Sequence, residues 1–105
     1  MNAMEETQIP QHTNGTNPTD PAIKRTRIVL VDDHEVLRQG LCMILAQEDD
    51  FEVVGEAGTG KAALTLAMEL QPDIVLLDIF LGKANGLDIA KQLQRSCPNT
   101  HIVMF

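Results

Sequence analysis

Cysteine, positive charge and long apolar runs are all scarce in this chain. It has two cysteines, and eight lysines and arginines against fifteen aspartates and glutamates. Each shortage excludes something. Cys42, in a helical pattern, and Cys97, before Pro98, make no metal-ligand spacing and are too few for a disulfide framework, so they read as structural thiols of a reduced cytosolic protein. The formal net charge of -7 argues against a nucleic-acid-binding surface on this segment, because phosphate backbones are held by clustered Lys and Arg. Any DNA contact would have to come from elsewhere. No apolar stretch follows Met1 that could be a signal peptide, and no run approaches the roughly 20 residues needed to cross a bilayer. The expectation is a cytoplasmic protein with no membrane contact.

What remains is a chain of 105 residues, 44% hydrophobic and 22% charged, the composition of one soluble globular domain. Its beginning is different. Up to Ile23 it is rich in Thr, Asn, Gln, Pro and Gly, with Ile9 and Ile23 almost its only large aliphatics, too little to offset the cost of ordering. Residues 1–25 are therefore expected to be a disordered tail and residues 26–105 a folded domain. Within the latter, residues 27–31 (Arg-Ile-Val-Leu-Val) form a continuous β-branched run of the kind buried on both faces of a sheet. A helical period follows, with Val36, Leu37, Leu41, Ile44 and Leu45 on one face. Residues 51–56 read as a second strand. Gly60 opens a second helix that Pro72 stops by removing a donor and restricting the residue before it. Residues 73–78 (Asp-Ile-Val-Leu-Leu-Asp) read as a third buried strand, residues 82–86 as a Gly- and Asn-containing loop, and Leu87, Ala90 and Leu93 as the apolar side of a third helix. His101 begins a fourth strand. Alternating strands and helices imply right-handed crossovers and an α/β fold, a parallel sheet with helices on both faces.

In open parallel sheets, ligands gather at the carboxyl ends of the strands. Asp32 and Asp33 end the first strand and Asp78 the third. If those strands are neighbours, three carboxylates share one pocket. At a separation of ~4 Å and an effective dielectric of ~20, each pair repels by about 4 kcal/mol. Such a pocket wants a cation, and a small site built of oxygen ligands favours Mg2+, which takes only one or two carboxylates and keeps several waters.

The sequence resembles a bacterial response-regulator receiver domain, of the flavodoxin-like (CheY-like) fold. The matching residues are Val-Leu-Val-Asp32-Asp33-His34, Val-Leu-Leu-Asp78-Ile, and Gly86 eight residues beyond Asp78. Residues 33–41 and 51–57 are similar to the LuxR/FixJ-type subgroup that carries a C-terminal helix-turn-helix. The resemblance covers about residues 27–105. It implies a phosphoacceptor module rather than an enzyme, with Asp78 receiving the phosphoryl group from a phosphohistidine on a sensor histidine kinase. It also implies Asp33 and Asp78 as direct Mg2+ ligands, Asp32 acting through water, and the backbone carbonyl of Phe80 completing the set. Homodimerisation on phosphorylation and transcriptional output through a separate C-terminal DNA-binding domain belong to the same expectation.

Two departures from the family pattern stand out. Gly82 occupies a position, four after the phosphoacceptor, where the family usually has proline, so the following loop is expected to be looser. The family's switch Ser or Thr after the fourth strand and its Lys after the fifth would both lie beyond Phe105. The chain thus reads as a receiver truncated after strand four, with a hydrophobic edge left uncovered, and is expected by itself to take up phosphoryl groups poorly or not at all.

Simpler readings compete at each point. Asp33 could merely cap the following helix, and His34 reads as a solvated helix-start residue. The sharpest alternative is a phosphate-binding loop, since Gly55-Glu-Ala-Gly-Thr-Gly60-Lys61 fits G-x-x-x-x-G-K between a strand and a helix. Its next residue is Ala62, which lacks the hydroxyl that motif places on Mg2+, and the reading leaves Asp32 and Asp33 unexplained. A third possibility is an interaction module that keeps the fold without the phosphoryl chemistry.

Overall fold

Residues 24–105 are described by the computed structural model; the expected tail, apart from its last two residues, lies outside them. The β-branched run at the start forms β1 (Thr26–Val31), followed by α1 (Glu35–Ala46), β2 (Phe51–Ala57), α2 (Gly60–Leu70) and β3 (Ile74–Leu77). A pair of two-residue strands, β4 (Phe80–Leu81) and β5 (Ala84–Asn85), leads into α3 (Gly86–Ser96), and β6 (His101–Met104) comes last.

The four longer strands form one sheet in the order β2-β1-β3-β6, every pairing parallel. That order fixes the layers. The step from β1 to β2 runs one way across the sheet, whereas β2 to β3 and β3 to β6 both run the other way. Right-handed crossovers therefore put α1 on one face and α2 with α3 on the other. The core lies mainly beneath α2 and α3, where Val29, Val31, Val75 and Leu77 meet Ala63, Ala67, Ile89 and Leu93. Alanines at 63 and 67, both fully buried, let α2 sit close to the sheet.

Helix α1 is where the expected face fails. The helix forms, but none of its residues is buried. Leu41, Cys42 and Leu45 are half-covered, while Val36, Leu37, Met43 and Ile44 are exposed, Val36 to 85%. The sequence periodicity identifies a stripe; among the described residues nothing covers most of it.

The segment after Asp78 is also tighter than expected. Instead of a loose loop, Leu81 pairs with Ala84 and Phe80 with Asn85 in a hairpin closed by Gly82 and Lys83. Gly82 has φ 58°, the left-handed region that glycine enters without a steric cost and proline cannot enter at all. Asn85 caps α3, its Oδ1 accepting from Leu87 N at 2.9 Å. At the opposite end of the sheet, Gln71 adopts φ 48° ahead of Pro72, and Arg27 Nη1 donates to the carbonyls of Leu70 and Gln71, satisfying the end of α2.

Candidate metal centre

The register of β1 against β3 pairs Val31 with Leu77, so the next residues on each strand, Asp32 and Asp78, leave the sheet side by side. Backbone bonds hold both at that edge: Asp32 N donates to Ala57 O (3.0 Å) and Asp78 N to Val31 O (2.9 Å). Each carboxylate then folds back on its own turn. Asp32 Oδ1 accepts from His34 N at 2.8 Å, and Asp78 Oδ1 accepts from Phe80 N at 3.0 Å. These Asx turns are the ordinary reason for an aspartate at a strand end. Each turn fixes one oxygen of its carboxylate.

The second oxygens decide whether the pocket is more than two turns. Asp32 is wholly buried, and its Oδ2 has no hydrogen-bond partner. An unpaired buried carboxylate oxygen is costly and calls for a cation. Asp33 does not cap α1: the N-cap is His34, without a side-chain cap hydrogen bond. Instead Asp33 joins Asp32, Asp78 and His34 in a group that offers one ligand atom each, all within 4.8 Å of one another. The three aspartates expected to converge do so. They fit a divalent ion with carboxylate ligands, which supplies a Lewis acid and charge neutralisation when bound.

His34 is the exposed helix-start residue expected, and its ring also meets the acids. Its Nδ1 is 3.0 Å from Asp32 Oδ1, 3.1 Å from Asp33 Oδ1 and 3.9 Å from Asp78 Oδ2. The hydrogen bond to Asp32, then the charges of Asp33 and Asp32, raise its pKa above the usual histidine value. Arg38 was also legible only as a polar helix residue. Its Nη1 donates to the Asp32 carbonyl and its Nε to Glu56 Oε1 at 3.1 Å, strapping α1 to β2 behind the site. Helical side chains lean toward the helix N-terminus, which is the only sequence-level signal for this reach.

The phosphate-binding-loop alternative does not survive the geometry. Gly55, Glu56 and Ala57 lie within β2, paired with Val29, Leu30 and Val31, so they form no loop around a phosphate. Gly60 is glycine because a Cβ there would collide with Ile89. Thr59 serves as the N-cap of α2, accepting from Ala62 N.

Residues 28–105 match the response regulator receiver domain family. The chain belongs to that family. Among curated relatives, the response regulator protein VraR of Staphylococcus epidermidis is 37% identical over 79 residues, covering 75% of this chain and 38% of VraR. The transcriptional regulatory protein LiaR of Bacillus subtilis is 38% identical over 79 residues, 75% of this chain and 37% of LiaR. This receiver thus spans less than two fifths of the length of these relatives. Its fold matches a LuxR-family two-component response regulator from Aurantimonas sp. SI85-9A1, with TM-score 0.74 and 30% identity over 78% of this chain and 59% of that one. It also matches the signal receiver domain of the response regulator NarL from Mycobacterium tuberculosis, with TM-score 0.72 and 32% identity over 77% of this chain and 65% of that one. The α/β reading and the receiver reading both stand. Among the described residues, no helix is long and apolar enough to cross a membrane.

Proposed function

We propose that Asp78 is the phosphoacceptor of this two-component receiver, with Mg2+ held by Asp33, Asp78 and the Phe80 backbone carbonyl, and by Asp32 through water. The observation that carries the reading is the buried, unpaired Oδ2 of Asp32 beside two further carboxylates. Bound Mg2+ would mask the charge of the acids as a second anion approaches. The protein's own part is alignment, which dominates phosphoryl transfer. The Phe80 amide fixes the Asp78 carboxylate on its turn. An oxygen of Asp78 forms the bond to phosphorus as the bond from phosphorus to the imidazole nitrogen of a sensor kinase's phosphohistidine breaks. The kinase, dimerisation after phosphorylation, and control of transcription through a DNA-binding segment outside this chain complete the proposal.

The test uses a chimera in which the matching 79-residue segment of VraR is replaced by that of this chain, with unaltered VraR alongside. Phosphoryl label from a phosphodonor is expected on the chimera only with Mg2+, and none after Asp78→Asn. Label retained in Asp78→Asn, or a folded chimera unlabelled where VraR is labelled, would return this segment to the class of interaction modules without the chemistry.

A further inference from the structure

The side chain of His34 is 66% exposed, yet its Nδ1 faces three carboxylates instead of water. Nothing in the fold demands this. The ring makes no cap hydrogen bond to α1, and the turn after Asp32 is already closed by the backbone amide of His34. What the position does satisfy is coordination geometry. In an octahedral shell with ligands about 2.1 Å from the ion, neighbouring donors are about 3.0 Å apart. His34 Nδ1 lies 3.1 Å from an oxygen of Asp33, the spacing of two neighbouring donors, and the group of four residues offers ligand atoms within 4.8 Å of one another. The unpaired Oδ2 of the fully buried Asp32 independently marks the place as short of a cation.

An imidazole nitrogen alters which ion such a place holds best. Mg2+ is a hard cation that prefers oxygen and keeps its waters, whereas Mn2+, Co2+, Ni2+ and Zn2+ accept imidazole readily, with affinity rising from manganese through cobalt to nickel. We propose that His34 Nδ1 is a fourth protein ligand of the Asp32–Asp33–Asp78 centre and biases it toward first-row transition-metal ions over Mg2+. The inference rests on the metal reading of the preceding subsection and deepens it. Coordination through Nδ1 leaves Nε2 directed outward, consistent with the exposure of the ring.

The exposed ring can be changed without opening the core, so His34→Gln is an informative variant. Mn2+ added to the protein is expected to show a directly coordinated 14N in pulsed electron paramagnetic resonance, and to lose that coupling in His34→Gln. In competition titrations, Co2+ and Ni2+ affinity should fall about tenfold or more in the variant, the scale on which support of a metal centre by one side chain is felt, while Mg2+ affinity stays nearly constant. Bound Mn2+ without nitrogen coupling, or an unchanged ranking of metals in the variant, would overturn the proposal and leave His34 a hydrogen-bond donor to Asp32. Failure of the wild type to bind Mg2+ and Mn2+ alike would sink the underlying metal reading as well.

Discussion

Arg38 links two elements through one guanidinium. It donates to the Asp32 carbonyl and to Glu56, and its side chain is only 19% exposed, so the bond to the Asp32 carbonyl is partly shielded from water while that to Glu56 is exposed. Hydrogen bonds from a charged donor contribute more than neutral ones, so Arg38→Ala is expected to lower stability by about 1–2 kcal/mol in urea unfolding. Lysine should not restore the loss, because a single ammonium cannot reproduce the fork that meets two acceptors in fixed directions. At this scale the sequence was only partly readable. Three acids at two strand ends announce themselves, since strand pairing alone brings them together. The inward turn of His34 and the backward reach of Arg38 depend on side-chain torsions that no spacing records. Both residues read as surface polar groups; His34 is one, 66% exposed, but its contacts with the acids show only in the structure.

Among elements, the junction of the hairpin with α3 is packed closely against backbone. Gly86 N donates to Ile79 O at 3.2 Å, and a Cβ at Gly86 would approach that same carbonyl oxygen to 2.6 Å, a contact with backbone that cannot swing aside. Gly86→Ala is therefore expected to cost about 1–3 kcal/mol, the range for forced overpacking, measured as a shift in the denaturation midpoint. The displaced backbone is that of the residue after Asp78, so the variant should also weaken divalent-ion binding. Order and type of the longer elements were legible in the sequence, because β-branched runs of four to seven residues and helical periods of about eleven give strong signals. The β4–β5 hairpin was not, since two-residue strands are too short to show alternation. Replacing the family's proline with Gly82 looked like a loosening; a positive φ in a two-residue turn made it a tightening instead.

For the molecule as a whole, the two faces of the sheet are unequal. One is sealed by α2 and α3 around Val29, Val75, Leu77 and Leu93, while among the described residues the other is crossed by α1 alone. Val36, Met43 and Ile44 project along one side of that helix, and Val103 and Phe105 are each 45% exposed. Periodicity can reveal an apolar stripe but not what covers it, and for this reason α1 looked like a core helix in sequence. Val36→Glu combined with Ile44→Glu is expected to change stability by less than about 0.5 kcal/mol per site, as for exposed positions. The same pair should reduce concentration-dependent association in sedimentation experiments, because exposed apolar patches promote it. The buried oxygen of Asp32 has a consequence on this scale too. An ion that binds the native state and not the unfolded chain adds RT ln(1 + [L]/Kd), about 2.7 kcal/mol at a hundredfold excess over Kd. Proteases act on the unfolded fraction, so the supply of divalent ions would set the lifetime of this polypeptide as well as the readiness of its carboxylates.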